Sequence, residues 1–398
     1  MYHLSEFKEQ LGVYWDLITL FLGAVLGIMI PAMYKQICHY YKRLRVKLKL
    51  KNLAGIEDLN ILKISSANPY YGNNDININV GERCLYIGFP KKLLDQVLKH
   101  DEKFEIHADC SFDGSKMFED VIKQTGISDL NALIEKHKDI VAQQFVNQEE
   151  GCLFNRPKFG VYNMNTDQRK GYEEVPEVKM ELFHTDYFTH RVVRSIYGEL
   201  KERGDMILDL DQENMKEGLK KYNFFTTSLG INAFVISDSK DGESIIFSKR
   251  AQGAAYSENA YKYNSTVMEG ISQTDYNSYE VSLKKALERG VYEELGISSS
   301  LWDKFEADYR FFDVFLEKNY FEIGITASVR LNTLFEESIK DLPGQDKELE
   351  IGKLVAIPKR KRELEKFINE NDIYNQGLFT LKMICARDLL FLMLKRKS

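Results

Sequence analysis

The first apolar run of the chain is Leu17 to Met33, inside "DLITLFLGAVLGIMIPAMYK", and it carries no charge. As a helix it would be roughly 26 Å long at 1.5 Å per residue, near the lower limit for crossing a bilayer core. After it the pattern changes to alternating and periodic segments of ordinary length. "EDLNILKISS" and "CLYIGF" read as strands, "NPYYGNNDININ" as a loop, and "PKKLLDQVLKH" and "DLNALIEKHKDIVAQQF" as helices, the second capped by Asp129. In "MELFHTDYFTHRVVRSIYGELKERG" a helix runs to about Arg203, opened by Thr185 or Asp186. From about Phe225 the pattern sharpens. "TTSLGINAFVISDSKDGESIIFSKRA" predicts a hairpin turning at Asp241-Gly242, and "TVMEGI" a short strand. "NSYEVSLKKALERGVYEELGI" predicts a helix with Val281, Leu283, Leu287 and Val291 on its apolar positions. Strands "YRFFDVFLE", "YFEIGITASVRL" and "LEIGKLVAIP" and two helices complete the chain.

The flanks of the first run give it an orientation. Lys8 is the one Lys or Arg before it; Lys35 and "KRLRVKLKLK" follow it. The positive-inside rule then places the N-terminus outside and everything after residue 35 in the cytoplasm, as a single-pass membrane protein. A signal peptide would carry its basic region before the apolar core, not after it; a buried soluble helix is the other reading of the run. Trp15 and Tyr34 flank the run as interfacial aromatics do, and Gly23 and Gly27 have the G-x-x-x-G spacing that lets two helices pack as a homo-oligomer.

Composition narrows the rest. The 398 residues suffice for two or three domains, and 44% hydrophobic content describes a folded chain. We divide it into an anchor with a basic flank (1–52), a mixed α/β domain of unassigned role (53–222) and a C-terminal domain (223–398). A formal charge of −6 argues against a nucleic-acid partner. The cysteines, Cys38, Cys84, Cys110, Cys152 and Cys385, are odd in number, widely spaced and without a C-x-x-C pair, a pattern of reduced thiols rather than of a disulfide framework or a zinc site. On the helix after Thr185, the aromatic and cationic residues Tyr187, Phe188, His190, Arg191 and Arg194 either grip a base and a phosphate or form one amphipathic face with Val192, Ile196 and Leu200 in the core.

The candidate chemistry lies in "ALERGVYEELGI". The strand and helix order of residues 225–398, together with this stretch, resembles the Nudix hydrolase family. The family's signature is G-x5-E-x7-R-E-U-x-E-E-x-G-U, with U a bulky aliphatic residue. Arg289, Val291, Glu293, Glu294, Gly296 and Ile297 match its second half. Gly290 replaces the Glu after the Arg, Val281 replaces the earlier Glu with Glu280 one position away, and Asp275 falls on the first Gly, with Gly270 displaced from it. The resemblance implies an α/β/α sandwich and a Mg²⁺ or Mn²⁺ site at which water attacks a diphosphate bond of a nucleoside diphosphate derivative. It implies Glu293 and Glu294 as metal ligands and catalytic groups, with Glu280 or Glu348 (or Glu350) as substitute ligand or base. Arg289 is expected as a structural or substrate-binding cation. Lys249 and Arg250, at the end of a strand, meet phosphate or solvent. Position 290 shares a helix face with Glu293 and Glu294, so glycine there removes a carboxylate from the metal face. Two functional classes follow: a membrane-held hydrolase, or a pocket that binds a nucleotide signal with hydrolysis weakened or lost. The layout of the second resembles membrane effectors of bacterial antiviral signalling.

Overall fold

In the computed structural model the described residues are 59–66, 75–149, 151–167, 177–205, 210–211, 214–240, 242–251, 260–276, 280–344 and 351–388, with Gly12, Tyr14 and most of 20–45. Two compact units divide at Asn52/Leu53. In the first, the described residues are helical. The expected span falls partly outside them, since Leu17, Ile18, Thr19, Leu22, Ile28 and Ala32 are not described. Among the described residues no helix is long and apolar enough to cross a membrane.

The second unit is mixed α/β. It begins with β1 (Ile61–Ser66), β2 (Asp75–Cys84), α1 (Lys91–Val97), α2 (Glu119–Thr125), α3 (Leu130–Val146), β3 (Pro157–Asp167), β4 (Glu177–Asp186), α4 (Tyr187–Glu202) and α5 (Met215–Lys221). It continues with β5 (Leu229–Ser239), β6 (Gly242–Arg250), β7 (Tyr263–Asn264), β8 (Val267–Gly270), α6 (Leu283–Leu295) and α7 (Ser299–Lys304). It ends with β9 (Asp308–Glu317), β10 (Glu322–Leu334), α8 (Phe335–Ser338), β11 (Ile351–Pro358), α9 (Lys361–Glu370) and α10 (Asn375–Arg387).

The larger sheet has the order β1-β9-β10-β5-β6-β11, with β8 paired to β5 and β7 to β6. β10 and β5 run parallel, from Ile323↔Leu229 to Arg330↔Ile236. That pairing suits their near-continuous apolar runs, which are buried on both faces, as parallel strands usually are. α6 packs on β8 and β5, while α10 packs on β10, β5, β9 and β1 and sets Phe379 against Phe315, the rings tilted by 56° with centroids 4.9 Å apart. β1 comes from the segment expected in the middle domain, yet it is an edge strand of this sheet, with Ile61 opposite Glu317. The remaining strands of that segment form a second sheet, β2-β4-β3. One continuous apolar core underlies both sheets.

Local chemistry explains several boundaries and corrects others. Asp186 caps α4 by accepting from the Thr189 amide at 2.7 Å, as expected. Asp129 precedes α3 but makes no side-chain cap, because its carboxylate is taken by Arg203 at 2.8 Å. "CLYIGF" does not continue as a strand: β2 ends at Cys84 and only Tyr86 bridges, to Cys110. The same bridge brings Cys84 and Cys110 together as a disulfide, with Cα atoms 6.5 Å apart. The expectation of five reduced thiols is corrected there; spacing in sequence does not reveal a backbone bridge. On α4, Phe188, Val192, Ile196 and Leu200 are buried. Arg191 donates to the Gly151 carbonyl and Arg194 to Glu322, so the apolar-face reading of this helix describes it and the base-gripping one does not.

Candidate functional site

α6 is built as its sequence dictates. The Ser282 hydroxyl accepts from the Lys285 amide at 3.2 Å, and Gly296 closes the helix at φ +75°, a left-handed conformation glycine adopts without strain. Val281, expected to start the apolar face, lies before the helix; it is buried and donates its amide to the Ile78 carbonyl. Leu283, Leu287 and Val291 face the core.

The glycine at 290 has a steric cause. A Cβ there would lie 2.8 Å from both the Cβ of Glu269 and the Cγ1 of Val267, so α6 could not approach β8 so closely with any other residue. The space of the missing side chain is occupied by the stem of Glu269, which also sits 3.0 Å away through its Cγ. A carboxylate therefore stands beside position 290 on the neighbouring strand, and it is held by Arg289.

Arg289 organises what surrounds it. Its Nε donates to Asp275 at 3.1 Å, its Nη1 to Glu269 at 2.8 Å and to Glu293 at 3.1 Å, and its Nη2 to Asp275 at 2.9 Å and to the Gly270 carbonyl at 2.8 Å. Burial alone would depress its pKa; the Asp275 and Glu269 carboxylates reverse this and hold it raised. Glu280, expected as a substitute ligand or base, is exposed and is not among these contacts. Asp275 meets the guanidinium through two of its nitrogens. It is fully buried and completes a capping box by accepting from the Ser272 amide at 2.8 Å.

Glu294 is 2% exposed and faces inward. Its Oε1 accepts from the Met268 amide at 3.0 Å and lies 3.6 Å from Nη2 of Arg250, whose side chain is equally buried. Arg250 therefore meets an internal carboxylate, not the phosphate or solvent expected for it. Lys249, its neighbour on β6, lies over the Tyr263 ring at 5.5 Å. Glu348 and Glu350 fall outside the described residues. Glu288, on another face of α6, pairs with Lys284 at 3.5 Å.

These residues do not fit a divalent cation as arranged. Magnesium needs several oxygen ligands converging in near-octahedral order. Here Glu293 and Glu269 share one guanidinium, and Glu294 is turned inward toward another. Among the described residues no group of three or more His, Cys, Asp or Glu side chains is placed to hold a metal ion. The Arg289 guanidinium is outnumbered by the Asp275, Glu269 and Glu293 carboxylates, so this cluster alone does not attract an anion.

Of the residues read from the sequence, the structure brings together Arg289 with Glu293, and Arg250 with Glu294. It leaves Glu280 and Lys249 apart from them. Sequence reasoning missed Asp275 and Glu269. The first had a signal, the Ser-x-x-Asp capping box of "SQTD". The second had none, since only the α6–β8 approach gives Glu269 its place.

No family model and no curated protein matches the chain. Among solved structures it is similar to the NUDIX domain of Shewanella oneidensis NrtR complexed with ADP ribose, at 9% identity and TM-score 0.27, over 46% of this chain and 94% of that one. It is also similar to a mutT/nudix family protein from Listeria innocua, at 16% identity and TM-score 0.27, over 41% and 96%. A third is a Caenorhabditis elegans Ap4A hydrolase in a binary complex, at 11% identity and TM-score 0.25, over 41% and 97%.

Proposed function

We propose that this chain is a Nudix-like protein that binds a nucleotide or nucleoside diphosphate derivative, with hydrolysis weakened or lost. The observation that carries the reading is the commitment of the α6 acids to the chain's own arginines: Glu293 to Arg289, and Glu294 to the vicinity of Arg250. A hydrolase of this kind needs those carboxylates on a metal. A binding pocket needs a fixed shape, and the Arg289 cluster supplies one by tying α6 to β8 and to Asp275. The residues of "RGVYEELGI" and the hairpin, short strand, helix and two-strand order support the Nudix-like assignment of residues 223–398.

In the same proposal residues 1–52 anchor the chain in a membrane, N-terminus outside, with the remainder cytoplasmic. Residues 53–222 border the binding site, and the chain acts as a sensor or effector, in a layout like that of bacterial antiviral signalling proteins. Helix pairing through Gly23 and Gly27 would make it a homo-oligomer.

The test is direct. Full-length protein is incubated with nucleotide sugars, dinucleoside polyphosphates, ADP-ribose, NAD and cyclic nucleotides, with Mg²⁺, with Mn²⁺ and with EDTA. The expected result is saturable binding to one of these classes without turnover. Metal-dependent turnover that is abolished by Glu293→Gln would overturn the reading in favour of an active pyrophosphohydrolase.

A further inference from the structure

Cations and carboxylates both gather around Gly270, at the end of β8, and the cations differ in what they have left to offer. Arg289 spends its Nε and both terminal nitrogens on Asp275, Glu269, Glu293 and the Gly270 carbonyl. Arg194 donates to Glu322 at 3.0 Å and stacks 3.5 Å from the Tyr320 ring centroid. Lys158 differs from both. Among the described residues its ammonium makes no hydrogen bond and no ion pair; the contact recorded for it is with the Tyr187 ring, at 5.4 Å.

The backbone holds Lys158 in place. It pairs with Thr185 within the smaller sheet and bridges to Ser272 of the loop after β8, and its carbonyl accepts from Gln273 Nε2 at 3.2 Å. Its Nζ lies 3.4 Å from the point where a Cβ on Gly270 would stand, so the lysine reaches the same glycine whose carbonyl accepts from Arg289. Burial lowers its pKa; Glu322 and Glu269 raise it, Arg289 and Arg194 lower it. An ammonium with unspent donors in a half-buried position is unfavourable unless something else completes it.

We infer that Lys158 is the residue of the smaller sheet that grips the phosphate oxygens of the ligand at α6, so that the chain supplies from its own side chains the positive charge that this site needs. The inference rests on the proposed nucleotide-binding reading and gives the smaller sheet a part in it. The ligand class is a di- or polyphosphate, and its binding needs no divalent cation.

Inorganic pyrophosphate and ADP serve as probes, titrated calorimetrically into full-length protein in EDTA. Wild type is expected to bind them. Lys158→Gln is expected to weaken binding about tenfold, the worth of one charge-assisted hydrogen bond, and Lys158→Arg to keep most of the affinity. A second readout is acetylation of individual lysines, followed by peptide mass spectrometry. Pyrophosphate should slow modification of Lys158 several-fold and leave Lys249 unchanged. Equal affinity of Lys158→Gln and wild type, at unchanged urea midpoints, or no protection of Lys158, overturns this assignment and leaves the nucleotide reading standing. Binding that vanishes in EDTA overturns the metal-free claim. Failure of wild type to bind either probe or any nucleotide of the panel, with or without metal, removes the reading and this inference together.

Discussion

Glu317 is a carboxyl whose raised pKa has a plain cause. It is fully buried at the end of β9, its Oε2 accepts from the Tyr320 amide at 2.9 Å, and its Oε1 has no hydrogen-bond partner among the described residues. Burial, and then the neighbouring Glu322, push its pKa up to about 8. A carboxyl whose folded pKa lies above its unfolded value favours folding when protonated. Its contribution is complete below about pH 4.5 and is lost as pH rises through about 8. Glu317→Gln should therefore flatten the fall in stability between pH 5 and pH 8, by up to roughly 4 kcal/mol at 1.36 kcal/mol per pKa unit. Urea unfolding of both proteins at pH 5, 6.5 and 8 checks this, and parallel pH profiles would refute it. Nothing in "FLEKNYFE" marks Glu317 as buried. Its burial follows from β1 and β10 flanking β9, which is a tertiary fact.

At the scale of elements, α6 separates what periodicity can tell from what it cannot. The apolar positions Leu283, Leu287 and Val291 and the terminal Gly296 were readable from residue type and spacing, whereas the start was placed too early, at or before Val281, and Ser282 is the cap. Arg289 and Glu293 were readable as neighbours one turn apart. The reason for Gly290 was not, because glycine within a helix is unfavourable by roughly 1 kcal/mol relative to alanine and only β8, across the contact, explains it. Gly290→Ala gains that propensity but forces a methyl against Val267 and Glu269, and overpacking of this kind costs about 1–3 kcal/mol. We expect a net loss of about 1 kcal/mol by urea denaturation. A more stable Gly290→Ala protein would mean that β8 yields easily. For the same reason a longer Gly290→Glu side chain cannot simply restore a metal ligand. Arg250 and Glu294 were each legible as charged residues, but not as a buried pair. Their meeting depends on β6 and α6 converging from positions 44 residues apart in sequence.

For the whole molecule, the succession of strands along the chain from β5 onward was legible apart from the two-residue β7, while their order in the sheet was not. Each strand there is a dense apolar run bounded by turns, and the parallel β10–β5 pairing accounts for the densest of them. The membership of β1 was not legible, since "NILKISS" carries no sign of which sheet it will join. The two units also give the proposed anchor a clean test. Carbonate extraction should leave full-length protein in the membrane fraction, whereas a chain of residues 53–398 should be released and unfold at the same urea concentration. Release of the full-length protein would remove the anchor from the proposal.

The β1–β9 pairing has a consequence for how this protein comes off the ribosome. Ile61 leaves the exit tunnel about 250 residues before Glu317, and at ordinary translation speeds of 5–20 residues per second it waits on the order of 10–50 s for its partner. During that interval a short strand with an open edge is exposed while the smaller sheet has already had time to form. The edge strand of the larger sheet is thus one of the earliest segments made, and truncated products that stop before β9 leave β1 without the strand it pairs with.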